Sequence, residues 1–162
     1  MIARPNAFQK WIHQFIMWRP VTAFFAPRVH LLDKAILKWT NGKYAISEIL
    51  GWPIIQLTTT GAKTNRSHTM PLVGLFDHEK IALIASSLGR EHNPGWYYNL
   101  KTHPECEVQL NGRSRKYIAC EAEGDEREKY WQLALSYFAG YEKYEEWAAH
   151  RRIPVMILEP KK

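Results

Sequence analysis

Three short segments of the chain carry residue types that could do chemistry. The first, Thr58-Thr59-Thr60-Gly61-Ala62-Lys63-Thr64-Asn65-Arg66-Ser67-His68, is a β-branched run ending in a glycine-turned loop rich in hydroxyls and cations. Backbone N–H groups exposed by such a turn, together with Lys63, Arg66 and His68, make a cradle for an anion. The same composition fits a solvated hairpin loop, in which Thr ends a strand and Gly supplies a positive φ. On spacing alone both readings stand. The second segment runs from Ala85 to Leu100 and joins a small-residue strand end, Ala85-Ser86-Ser87, to an aromatic helix start, Gly95-Trp96-Tyr97-Tyr98-Asn99. It offers a flat ring a stacking surface with backbone donors at its edge, or, with Trp96 and Leu100 four apart, an ordinary apolar helix face. The third sets Phe138, Tyr141 and Tyr144 at helical spacings with Trp147 nearby, as the lining for a flat substrate or as amphipathic packing.

Other catalytic signatures are absent. His13, His30, His68, His78, His92, His103 and His150 include no H-E-x-x-H and no i, i+4 pair, so no metal site is expected. There is no G-x-S-x-G elbow and no G-x-G-x-x-G dinucleotide loop. Gly61-Ala62-Lys63-Thr64 is not a phosphate loop, because position 57, where a glycine is required, is Leu.

The elements that must position these segments follow from periodicity. Phe8, Trp11, Ile12, Phe15, Ile16 and Trp18 recur at helical spacing, and a second helical pattern runs from about 30 to 39 and stops at Asn41-Gly42. Residues 1–50 are therefore expected to be an N-terminal helical segment. From Pro53 the period changes to strands: 54–60, 70–76, 81–86, a hairpin of 106–110 and 114–122 turning at Asn111-Gly112, and a closing 154–158. Helices are expected at 93–102, at 126–138 with Asp125 and Glu128 as a capping box, and at 141–150. Strands and helices do not alternate as in a parallel sheet. The expected fold is therefore α+β, a small barrel or roll of about six mostly antiparallel strands with helices packed outside. Residues 51–162 form its main body.

At 162 residues the chain has single-domain length, and seven tryptophans with 23% charged residues argue against disorder. Of the net charge of +6, residues 1–60 contribute seven basic against two acidic side chains. That bias suits an anionic partner or simple solubility. The cations do not sit on one helix among aromatics, so nucleic acid is not expected. Cys106 and Cys120 flank the hairpin; a two-residue turn puts them on opposite faces and a three-residue turn makes them diagonal neighbours. Both are read as packing residues in a reducing compartment. No signal peptide is apparent, and the apolar stretch around 15–26 is broken by Arg19-Pro20, too short to span a bilayer. A cytoplasmic protein is expected.

In order and spacing, L-T-T-T-G-x-K-T at 57–64, M-P-L at 70–72, A-S at 85–86, N-P-x-W-Y-x-N-L at 93–100, Y-x-x-Y at 141–144 and I-P-V-x-x-L-E-P at 153–160 resemble the deazaflavin-dependent nitroreductase family. That resemblance implies a split β-barrel related to FMN-binding proteins, the cofactor coenzyme F420, and hydride transfer from its reduced form to a quinone, nitroaromatic or similar electron-poor acceptor. It implies that Ala62, Lys63, Thr64 and His68, with Arg66 helping, hold the phosphate and polyglutamate tail. Thr69, Met70, Pro71, Leu72 and Val73 would surround the deazaflavin, together with the strand end Ile84, Ala85, Ser86 and Ser87 and the helix start Gly95, Trp96, Tyr97, Tyr98 and Asn99. Tyr141 would close over the ring, with Tyr144 and Phe138 toward the acceptor; Ser86 or a tyrosine hydroxyl would hydrogen-bond the acceptor oxygen. Ala62, Asn65 and His68 stand where the family has Arg, Gly and Arg, and His68 exchanges a permanent charge for a titratable one.

The N-terminal Trp/Phe/Ile face, with Arg4, Lys10 and Arg19, reads either as packing against the barrel or as a peripheral membrane contact on the cytoplasmic face that reaches a lipid quinone. A second copy of the chain is a further implied partner. The competing functions are an FMN-binding split-barrel oxidoreductase and a non-catalytic basic module for a membrane surface.

Overall fold

The computed structural model describes residues 53–162. The helical expectations for residues 1–50, and the membrane-facing reading built on them, lie outside the described residues. Among the described residues there are seven strands: β1 Ile54–Thr60, β2 Ser67–Val73, β3 Leu75–Asp77, β4 Lys80–Ile84, β5 Glu105–Leu110, β6 Arg113–Glu121 and β7 Val155–Pro160. With them are three helices, α1 Gly95–Thr102, α2 Gly124–Tyr137 and α3 Gly140–Trp147. One antiparallel sheet runs in the order β2-β1-β5-β6-β7-β4-β3.

Seven strands replace the expected six because the apolar run at 70–76 bends at Gly74. Its two halves, β2 and β3, occupy opposite edges of the sheet, yet only Gly74 separates them in the chain. The sheet must therefore curl until its edges meet there, leaving a barrel joined at one corner and split beyond it. The corner is tight. The Gly74 N–H donates to Pro53 O at 2.8 Å, and a Cβ on Gly74 would stand 3.0 Å from Ile55 Cγ2 and 3.1 Å from Ile81 Cγ2. Pro71 is tolerated in β2 because an edge strand can do without one ladder donor.

Alternation along the strands builds two cores. Leu57, Leu83, Val108, Tyr117 and Met156 point inward, and Trp96 and Leu100 of α1 join them. Outward-facing Ala82, Val155 and Ile157 are covered by Tyr130, Trp131 and Ala134 of α2 and Tyr141 and Tyr144 of α3. Lys129 Nζ and Tyr130 Oη both donate to Asp77 Oδ2, at 2.6 and 3.1 Å, and pin α2 to the end of β3.

The hairpin turns in two residues, Leu110 pairing with Arg113 and Asn111 and Gly112 both at positive φ, the signature of a type I′ turn. Cys106 is accordingly buried and Cys120 exposed, both free, and burial pushes the Cys106 thiol up to about 12. The expected capping box does not form. Helix α2 begins earlier, with Glu123 as its N-cap and no side-chain cap hydrogen bond.

Candidate functional site

The basic loop is shaped by its own backbone. Gly61 N–H donates to Arg66 O (2.8 Å), and Asn65 N–H to Gly61 O (2.9 Å), with Asn65 in the left-handed region at φ 53°. A Cβ on Gly61 would lie 2.5 Å from Thr64 Oγ1 and 2.9 Å from His68 Nε2. Glycine thus lets Thr64 and His68 meet across the loop, 3.3 Å apart. Lys63, Thr64, Arg66 and His68 are all exposed, and no acidic side chain among the described residues forms an ion pair with Lys63, Arg66 or His68.

Asn99 on α1 anchors this loop. Its Oδ1 accepts from Ala62 N–H (3.0 Å) and its Nδ2 donates to Thr59 Oγ1 (3.0 Å). Thr69 Oγ1 is committed to Thr58 Oγ1 at 2.8 Å. The other residues of the α1 start divide. Trp96 is buried in the barrel core, and Tyr97 Oη donates to Glu121 Oε2 at 3.0 Å, where Lys101 also pairs. Tyr98 is 47% exposed, and around Gly95 a Cβ would meet no atom within 4 Å. Gly95 and Tyr98 are therefore the parts of this segment open to a ligand.

Strand alternation also divides the β2 residues. Met70 and Leu72 pack toward the barrel interior and Pro71 is buried. Val73 faces the other way and joins Ile84, Leu88, Phe138, Tyr141 and Tyr144 in the helix-side cluster. There Tyr141 lies 6.0 Å from Tyr144 and 5.6 Å from Phe138 between ring centroids, and Tyr144 lies 5.6 Å from Trp147. Both tyrosines are 8% exposed. Burial raises the Tyr141 phenol well above its usual value and pushes Tyr144 up to about 12. Each is therefore a protonated donor near neutral pH, and neither can act as a base.

Ala85 and Ser86, at the end of β4, are buried, and Ala85 N–H donates to Pro154 O at 2.9 Å. Beyond them Ser87, Leu88 and Gly89 turn back toward α3. The segment is held by Arg151, whose guanidinium donates to Ser86 O at 2.8 Å and Asn93 Oδ1 at 2.6 Å. The sequence reading missed Arg151. An isolated cation after a helix gives no local signal of what it will reach. Among the described residues no three His, Cys, Asp or Glu side chains are grouped to hold a metal, and no helix is long and apolar enough to cross a membrane.

The site thus has an exposed cationic loop at one end of β2 and a layer of neutral phenols near the other. The family model described as F420H(2)-dependent quinone reductase matches residues 32–160. The chain belongs to this family. Its match begins upstream of Leu57, where the sequence motifs start. The F420H(2)-dependent quinone reductase Rv1261c of Mycobacterium tuberculosis is 31% identical over 130 residues, 78% of this chain and 87% of the relative. A solved F420-H2 dependent reductase, FDR-A, superposes with a TM-score of 0.61 at 38% identity over 66% of this chain and 94% of that one. A structure described as a domain-swapped dimer matches with the same score and identity over 66% and 80%. The split barrel inferred from the curl of the sheet is the fold that FDR-A shares.

Proposed function

We propose that this chain binds coenzyme F420 and passes a hydride from its reduced form to a quinone or similar electron-poor acceptor. The observation that carries this reading is the two-ended site. From Ser67 to Val73 an extended strand covers about 20 Å, which separates the cationic loop from the tyrosine layer and suits an elongated ligand with an anionic tail and a flat ring. The residues present fit that coenzyme. Lys63 and Arg66, unneutralised and exposed, hold its phosphate and acidic tail, assisted by Thr64 and His68, while Ala62 is fixed by Asn99. Val73, Ile84 and Tyr141 border the ring, the backbone of Gly95 and the exposed Tyr98 lie open to it, and Trp96, Tyr97 and Asn99 act from behind as supports.

When bound, the reduced coenzyme supplies the hydride, so the protein needs no acid–base pair of its own for that step. What the chain contributes is placement and exclusion of water. The protonated phenols of Tyr141 and Tyr144 and the hydroxyl of Ser86 are donors for the oxygen on which negative charge develops. The experiment is a titration of the purified chain with F420 followed by tryptophan fluorescence, with FMN in parallel. Micromolar binding of F420 with little of FMN, followed by turnover of a menaquinone analogue, is the expected result. Preference for FMN overturns the cofactor assignment, and binding of neither overturns the site.

The acceptor we assign is a lipid quinone reached from the membrane surface. The quinone reductase relatives support it, as do the apolar N-terminal face and its cations in the sequence. Faster turnover of menaquinone in anionic than in neutral vesicles is expected; equal rates contradict the surface contact. Self-association, supported by the relative solved as a domain-swapped dimer, is tested by sedimentation.

A further inference from the structure

Ser87, Leu88 and Gly89 lie consecutively in the left-handed region, with φ of 50°, 57° and 74°. Non-glycine residues hold that conformation where their surroundings impose it, and Leu88 lacks the short polar side chain that eases Asn or Asp into it. The surroundings here come from the far end of the chain. Arg151 donates through Nε to Arg90 O (3.0 Å), through one terminal nitrogen to Ser86 O (2.8 Å), and through the other to Asn93 Oδ1 (2.6 Å) and Ala85 O (3.4 Å). Two of these acceptors precede the turn and two follow it. His150 Nε2 sits 3.1 Å from Glu91 O, and Trp147 packs so closely that a Cβ on Gly89 would be 2.7 Å from its own. No carboxylate forms an ion pair with Arg151 among the described residues. Its planar fork, which lysine cannot reproduce, is committed to this loop.

We propose that Arg151 is a positioning residue for the electron-transfer site: it locks the left-handed turn from both sides and thereby sets where Ser86 stands. The proposal rests on the reading that Ser86 faces the acceptor. Arg151 acts through the backbone of Ser86 and its neighbours. A displacement of about 1 Å at a reacting group is enough to cost about 100-fold in rate, so loosening the turn registers in turnover well before the barrel unfolds.

Amide hydrogen exchange on the full chain without coenzyme separates the clamp from the chemistry. In Arg151→Ala the amides of residues 86–93 are expected to exchange roughly tenfold faster, while those of β1, β5 and β6 keep their protection. With reduced F420 and menadione, kcat is expected to fall roughly 10- to 100-fold, and F420 affinity to stay within about threefold because the basic loop is untouched. Arg151→Lys recovers only part of the loss, and added guanidinium ion restores part of the turnover of Arg151→Ala. Unchanged exchange at 86–93 overturns the clamp, and a fall in turnover matched by an equal fall in F420 binding overturns the positioning role. If the wild-type chain turns over no quinone, the functional reading fails while the exchange comparison still decides the clamp. Should Arg151→Ala not fold, Asn93→Ala removes one acceptor: a local rise in exchange there supports the clamp, and no rise overturns it.

Discussion

Lys63 is exposed and has no acidic partner among the described residues, so its charge is available to a ligand at little desolvation cost. Replacing it with Ala is expected to weaken F420 binding by about 1–3 kcal/mol, the range for a charge-assisted contact, which titration reads as a roughly 5- to 150-fold rise in Kd. An unchanged Kd removes the loop from the site. Tyr144 carries a different consequence. Its phenol is pushed from about 10 when unfolded up to about 12 by burial, so the folded state binds that proton more tightly. The stabilisation is fully present below about pH 10 and is lost as pH rises through about 12. Denaturation midpoints should therefore decline between pH 10 and 12, and less steeply in Tyr144→Phe. Equal slopes contradict the buried, neutral phenol. That Tyr141 and Tyr144 would share a face was legible from their spacing of three. That burial would hold both neutral was not, because it depends on Leu75, Ala82 and Val155 closing around them from the sheet.

Two glycines and one asparagine decide how the elements join. Gly74 converts one apolar run into two edge strands, and Gly74→Ala forces a methyl against Ile55 and Ile81 at about 3 Å. Overpacking of this kind is expected to cost about 1–3 kcal/mol, measured as a lower urea midpoint with an unchanged slope. Asn99→Ala strips the partner from the Ala62 N–H and leaves Thr59, 3% exposed, without its donor. A loss of about 1–3 kcal/mol should appear together with weaker F420 binding, because the loop that Asn99 holds is the cationic one. Loss of stability with unaltered binding argues against the loop as the tail site. The resemblance places the Trp96–Asn99 helix start around the coenzyme, and in the structure the Asn99 amide is engaged at both ends within the protein. Gly61 is readable as a turn residue from Thr-Gly alone, but its necessity comes from the close approach of Thr64 and His68.

At the scale of the molecule, the proposed seat of the acidic tail on the exposed cationic loop makes coenzyme binding an electrostatic event. Screening shortens the reach of exposed charges to about 3 Å at 1 M salt from about 10 Å at 0.1 M, so F420 affinity should fall several-fold over that range. Salt-independent affinity places the binding energy in the ring rather than the tail. The two ends of the site also belong to different layers of the molecule. The basic loop hangs from β1 and β2 and is tied to α1, whereas Tyr141 and Tyr144 belong to the helix layer over β4 and β7 and meet the sheet edge at Val73.

Local patterns alone determined a great deal: the α+β class, the antiparallel hairpin and its Asn-Gly turn, and the positions of the described helices. The ordered motifs point to the family by themselves, because each reflects residues adjacent in the chain. Which face of β2 reaches which core, the closure of the barrel at Gly74, and the clamp of Arg151 on a turn remote in sequence were decided only by tertiary structure. These depend on contacts between residues far apart in the chain, and the periodicity of a segment records which face is apolar but not what will cover it.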